Sequence, residues 1–234
     1  MDSCSSNRPD TPPGPPRAGT LAPDARGTTP HAGKLGSRKE EDTVVSDGMS
    51  TGTSSGRTQS AILLPVPEAE ELVGPFRTQH DPVAIAGVPA HITLIVPWLP
   101  PSEIRPSDLA DLGEVLKGVT PFDFALRRVS WFGRGVLWLA PAPTEPFTKL
   151  TAVLSERFAT PPYEDEFDEI VPHLTVAHAT DGSELDAVAK ALSEALPIDC
   201  RAEQVWVMVG DGRLWTVRER YSLSAPCEEN TFNS

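Results

Sequence analysis

The chain reads as one pattern written twice. Leu109, Leu112, Val115 and Leu116 fall on Leu185, Val188, Ala191 and Leu192 at a constant offset of 76. The same offset carries Pro121, Asp123 and Val129 onto Pro197, Asp199 and Val205. Upstream of each apolar stripe lies a similar segment, Val-Pro-Ala-His-Ile-Thr-Leu at 88–94 and Val-Pro-His-Leu-Thr-Val at 171–176. The two histidines stand 82 apart, so the loop lengths differ, and downstream Trp138 and Trp215 match at an offset of 77 as equivalent core positions. Two such units predict two similar lobes related by a pseudo-twofold axis. Equivalent strands can then lie side by side and aim equivalent side chains into one central cleft.

The local pattern predicts which segments build the lobes. Residues 61–66, 91–98, 122–129, 136–140 and 173–179 read as strands. Residues 68–80 read as a helix that Gly74-Pro75 should break or restart. Residues 107–118, 144–159 and 183–196 carry helical periodicity, with Thr144 placed to cap the second of these. Residues 200–209 and 214–223 should form a hairpin around Asp211-Gly212. Helices and strands alternate, yet two hairpins imply antiparallel pairing. The expected class is therefore α+β: a bilobal fold, antiparallel sheets flanking a central cleft and helices outside.

Composition separates the chain into parts. Residues 1–60 hold no aromatic residue, and Pro, Gly, Ser and Thr supply 32 of the 60. Such a segment buries too little apolar surface to offset its ordering entropy. Residues 1–59 are accordingly expected to be disordered, 60–225 to form the domain and 226–234 to be a flexible tail. Met49 is a candidate for the true start. The first ten residues lack the order of a signal peptide, which predicts an intracellular, cytoplasmic protein, and no apolar run is long enough for a membrane span. The cysteines Cys4, Cys200 and Cys227 are odd in number and far apart, which argues against a disulfide framework.

Residues 1–60 hold seven acidic and seven basic side chains, so residues 61–234 carry the whole net charge of −13. An acidic domain grips long nucleic acid poorly, because Lys and Arg supply the sequence-independent affinity. A small anion in a local pocket remains compatible with that charge.

On a strand, residues i and i+2 share a face, which puts His91 with Thr93 and His173 with Thr175. Two copies would bring two imidazoles and two hydroxyls into one cleft. One histidine can take a proton from an attacking water while the other protonates a leaving oxygen. The threonine hydroxyls can hold the non-bridging oxygens of a phosphodiester. No metal or cofactor is expected.

This arrangement resembles the 2H phosphoesterase superfamily, also called the 2'-5' RNA ligase family, whose signature is two His-x-(Ser/Thr)-apolar motifs. Here they are His91-Ile92-Thr93-Leu94 and His173-Leu174-Thr175-Val176. The surrounding text (VPEAEELVG, HDPVAIAGVPAHITLIVPWLPP, FDEIVPHLTVA) is similar to the short bacterial members. The resemblance covers residues 60–224 and implies opening of 2',3'-cyclic phosphates to 2'-phosphates without a cofactor, with His173 as base and His91 as acid. The alternatives are 2'-5' RNA ligation on RNA ends, or a non-catalytic module that holds a nucleotide or RNA in the same cleft. The expected partner is a small cyclic phosphodiester or an RNA end, and the expected state a monomer.

Other residues are weaker candidates. Trp98 could stack on a base and Arg134 could reach a phosphate, and both are included as substrate-binding candidates. Arg127 and Arg128 could add to a local basic patch. His178 is expected on the strand face opposite His173, and His80-Asp81-Pro82 should end a helix. The acidic run 164–169 would repel a polyanion at the cleft mouth.

Overall fold

The computed structural model describes residues 58–161 and 170–224. Of the segment 1–59 expected to be disordered, residues 1–57 lie outside the described residues, as do the acidic run 164–169 and the tail 226–234, whereas Gln59 already belongs to the first strand. Among the described residues eight strands run in chain order: β1 Gln59–Pro65, β2 His91–Ile95, β3 Phe122–Phe132, β4 Val136–Ala142, β5 Leu174–His178, β6 Ile198–Ala202, β7 Gln204–Gly210 and β8 Trp215–Ser222. Five α-helices accompany them: α1 Pro67–His80, α2 Pro82–Ile85, α3 Pro106–Leu116, α4 Glu145–Phe158 and α5 Asp186–Ala195. The strands form two antiparallel four-stranded sheets, sheet A in the order β2-β1-β7-β8 and sheet B in the order β5-β4-β3-β6. No helix among the described residues is long and apolar enough to cross a membrane.

The pseudo-twofold is written into the ladder between β3 and β6. Phe124 pairs with Cys200, Phe122 with Ala202 and Leu126 with Ile198. Shifting every residue by 76 exchanges the two strands and reproduces the same pairs, so the axis passes through Phe124 and Cys200. The halves also exchange elements across this axis. α1 connects β1 to β2 in sheet A but packs against β5 of sheet B, and α4 packs against β2 of sheet A. One continuous apolar core results, running from Ile62, Leu64, Ile92 and Leu94 to Leu137, Leu139, Leu174 and Val176. Burying these side chains is the main favourable term holding the two sheets together.

Several expectations are corrected by this architecture. Residues 200–209 are not one strand: the chain leaves sheet B after Ala202 and enters sheet A at Gln204. The turn at Glu203 lets the second unit pair first about the axis and then against β1. Trp138 and Trp215 are not equivalent. Trp138 lies in β4, beside the strand of the second histidine, whereas Trp215 opens the edge strand β8. The position matching Trp138 is Leu63, because Leu63 pairs with Thr93 as Trp138 pairs with Thr175.

α1 passes through Gly74-Pro75 unbroken. Proline removes one backbone donor there, but Ala69, Val73 and Arg77 are buried on one face and hold the helix in register. β2 ends at Ile95, short of Trp98, because Pro97 has no N–H to extend the ladder. Thr144 occupies the N-cap position of α4 without a side-chain capping bond. The helix expected at 183–196 begins as a 3-10 turn, Gly182–Leu185, before α5. The β7–β8 hairpin turns at Asp211-Gly212 as expected: Asp211 Oδ1 accepts from the Arg213 and Leu214 amides, and Gly212 adopts φ +90°.

Candidate active site

β2 and β5 are the inner edges of their sheets and contact one another. His91 opens β2, and His173 stands one residue before β5. Both are partly buried. Their alternation with core residues is regular: Ile92 and Leu94 are buried behind β2, and Leu174 and Val176 behind β5. His91 and Thr93 therefore share the face away from the core, as do His173 and Thr175.

Both imidazoles are held the same way. His91 Nδ1 donates to the Pro89 carbonyl at 2.7 Å, and His173 Nδ1 donates to the Val171 carbonyl at 2.7 Å. A carbonyl can only accept, so each proton is fixed on Nδ1. The basic lone pair of each neutral ring is then on Nε2. The two segments differ by one residue before the histidine (Ala90 has no counterpart), yet the bond to residue i−2 is the same.

The site disfavours charge on these rings. Burial, then the Arg77 cation, then the His173 imidazole hold His91 down at about 3, against an ordinary value of 6.5. Burial also lowers His173, with His178 adding to the effect. His91 feels the charge of His173, so the fold brings the two rings of the paired motifs into one electrostatic environment.

A second duplicated feature follows each motif. The β1–β2 ladder skips from Ile62↔Ile95 to Leu63↔Thr93, leaving Leu94 as an extra residue. The β4–β5 ladder skips from Leu137↔Ala177 to Trp138↔Thr175, leaving Val176 extra. These are β-bulges, and each reverses the in-out alternation of its strand. The expectation for His178 is thereby overturned. Strict alternation would put it opposite His173, but Val176 and Ala177 are both buried and His178 emerges on the face of His173 and Thr175. Its counterpart after the first motif is Val96. Burial lowers the His178 pKa, and the Asp81 carboxylate opposes that shift.

Asp81 belongs to a buried ion pair that sequence reading passed over. Arg77 Nη2 and Nε donate to Asp81 Oδ2 at 2.9 and 3.1 Å, and Arg77 Nη1 donates to the Val88 carbonyl at 3.2 Å. Arg77 is 1% and Asp81 0% exposed. The pair joins the end of α1 to the segment leading into His91. An arginine on the buried stripe of an otherwise amphipathic helix, four residues before an aspartate, was the available signal.

The open face of sheet B is aromatic beside His173. Phe132 stacks on Trp138 with centroids 4.8 Å apart, and its edge contact with His173 spans 4.9 Å. Trp138 Nε1 is buried without a hydrogen-bond partner. Trp98, expected to stack on a base, is instead a core residue, 4% exposed and packed edge-on against Phe158. Its ring is occupied by the protein itself. Arg134 is exposed at the β3–β4 turn, where its charge helps hold Asp181 low behind the larger contribution of Ser183. Among the described residues, no cluster of three or more His, Cys, Asp or Glu could hold a metal ion.

The model of the 2'-5' RNA ligase superfamily matches residues 65–214. BH1439 of Halalkalibacterium halodurans, which bears a provisional phosphoesterase name, is 25% identical over 169 residues, covering 69% of this chain and 94% of that protein. The structure of TT0787 from Thermus thermophilus aligns with a TM-score of 0.47 at 19% identity, covering 71% of this chain and 98% of the other. Escherichia coli LigT in complex with ATP aligns with a TM-score of 0.43 at 19% identity, covering 73% and 99%.

Proposed function

The chain belongs to the 2'-5' RNA ligase superfamily, and on that premise we propose that it opens 2',3'-cyclic phosphates to 2'-phosphates by acid–base catalysis from His91 and His173. The observation that carries this reading is the identical anchoring of the two imidazoles through Nδ1, which puts the basic lone pair of each ring on Nε2.

In the proposed reaction, water attacks phosphorus and gives its proton to one Nε2. The bond from phosphorus to the 3' oxygen breaks, and that oxygen receives a proton from the other imidazole. The products are a 2'-phosphate and a 3'-hydroxyl. Thr93 and Thr175, on the same faces, hold the non-bridging oxygens. The family resemblance makes His173 the base and His91 the acid. Arg77 disfavours an imidazolium at His91, so this assignment requires the bound phosphate anion to bring the proton there. His178 adds a third imidazole on the His173 side.

The test is turnover of a nucleoside 2',3'-cyclic phosphate in EDTA by wild type, His91→Ala and His173→Ala. The expected result is a 2'-phosphate product from wild type and a loss of roughly 10²–10⁴ in kcat for each variant. Full activity in either variant would overturn the assignment of that histidine.

A further inference from the structure

We propose that the open face of sheet B carries a second phosphate-binding subsite, with Arg128 as its cation, so that the cleft favours nucleotides bearing a second phosphate beyond the reacting one. This rests on the reading above for the first phosphate and adds where the rest of the ligand lies.

The ladder registers place the residues. Thr175, Trp138 and Ser130 form one row across β5, β4 and β3. The neighbouring row is set by Leu139↔Leu174 and Arg128↔Ala140. One step along the first ladder brings Ala140 beside His173, so His173, Ala140 and Arg128 lie in one row. Leu139, Leu174 and Val129 pack into the core, hence Ala140, His173 and Arg128 all stand on the opposite, open face. Two interstrand spacings separate His173 from Arg128, about 10 Å between backbones. The residue between them is alanine, which leaves room above the sheet. Arg128 is exposed and has no ion-pair partner among the described residues.

A bulge strengthens the positive field there. The β3–β4 ladder skips from Leu126↔Pro141 to Arg128↔Ala140, leaving Arg127 extra and exposed beside Arg128. Beyond it, on the same face, lies a cavity of about 560 Å³ lined by Asp123, Ala125, Arg127, Ala142, Asp199 and Arg201 among others. Its volume falls in the range of small-ligand sites. The lining also holds Glu68, which accepts from the Arg201 amide, and Asp123 is paired with the Arg201 side chain, so Arg127 and Asp199 are the lining charges left for a ligand.

The pseudo-twofold supplies the control within the molecule. The offset of 76 carries Arg127 onto Glu203, between β6 and β7, and Arg128 onto Gln204, which opens β7 of sheet A. Gln204 is neutral, and its side-chain oxygen already accepts from Trp206 Nε1 at 2.8 Å. The frame around the two histidines is duplicated, but the arginine pair flanks only His173. On sheet A the row Thr93, Leu63, Trp206 ends in Arg220, whose guanidinium lies 4.6 Å from the Trp206 ring centroid, so the two lobes present a second anion with different cations, and the one in the row of His173 is Arg128. Arginine's planar fork suits a phosphate better than a point charge would.

The experiment compares calorimetric binding of adenosine 2'-monophosphate and adenosine 2',5'-bisphosphate, neither of which is a substrate for ring opening. Wild type should bind the bisphosphate at least fivefold more tightly. Arg128→Ala should cut that ratio to below twofold, and Arg128→Lys should restore part of it. A wild-type ratio below twofold, or an equal loss for both ligands in Arg128→Ala, would overturn the subsite. Turnover of the cyclic phosphate is read in parallel. A binding ratio without turnover upholds the subsite and removes the catalytic reading, and turnover without a ratio does the reverse.

Discussion

Arg77 and Asp81 form a wholly buried ion pair at the end of α1, and each partner acts on a different imidazole of the site. The arginine cation lowers His91, and the aspartate anion opposes the lowering of His178. Both charges are fixed by hydrogen bonds, so the pair is part of the electrostatic design of the cleft as well as of the fold.

Breaking that pair should cost more than any exposed ion pair in the molecule. Asp81→Asn strands a buried guanidinium, and a loss of about 3–5 kcal/mol is expected, against about 0–1 kcal/mol for removing Lys117 from its exposed partner Glu114. Replacing both members together, Arg77→Met with Asp81→Leu, should recover much of the loss. Urea unfolding of the three variants measures this, and equal destabilisation by the single and double changes would contradict it.

Stability should fall as the solution is acidified. His91 has a folded-state pKa of about 3 and an ordinary value of 6.5. Between those values the unfolded chain binds a proton that the folded one refuses. The contribution is therefore complete above 6.5 and is lost progressively as pH falls toward 3. His173 and His178 shift in the same direction. His91→Gln should flatten the slope of unfolding free energy against pH in this window. An unchanged slope would show that His91 is not a buried neutral group.

Substrate binding should draw in a proton. Both imidazoles are held neutral in the free protein, yet the proposed reaction needs one of them charged. Calorimetry of adenosine 2'-monophosphate at pH 7, in buffers of different ionisation enthalpy, should reveal uptake approaching about one proton, because a bound anion favours the imidazolium. Binding with no proton uptake would mean that the ligand anion does not reach these rings.

The two imidazoles can be told apart chemically. With sulfur replacing the 3' leaving oxygen, the leaving group no longer requires a general acid. His91→Ala should regain most of its lost rate on that substrate, and His173→Ala should not. The opposite pattern would exchange the roles and make the Arg77 field the factor that keeps His91 available as base.

His178 should tune His173. Its charge lowers the His173 pKa, so His178→Val, which installs the residue found at the matching Val96 position, should raise it. The acid limb of kcat/KM would move to higher pH. Imidazole titration by NMR reads the same shift without turnover. No movement in either measurement would place His178 outside the working site.

Much of this molecule was legible in its sequence because repetition and strand alternation are local rules. The offset of 76 marked the two units, and the period of two put His91 with Thr93 and His173 with Thr175 on open faces. The same rules failed at positions where a contact from elsewhere decides. One extra residue in each of β2 and β5 is visible only against the partner strand, and it alone turns His178 toward His173. The break at Glu203 depends on β3 and β1 each pairing with one half of a continuous extended run, 198–210. Trp98 reads from its neighbours as a platform for a base, but the fold buries it against Phe158, 60 residues away. Arg77 is not singled out by its own helix, where a charged residue is usually solvated; the packing of α1 on sheet B buries it with Asp81. The sequence by itself determined the repeat, the paired motifs and the residue types for acid–base chemistry, since these are properties of nearest neighbours along the chain. Tertiary structure decided which charges share the cleft and on which side of it they lie, because ladder register and burial are set by strands far apart in sequence.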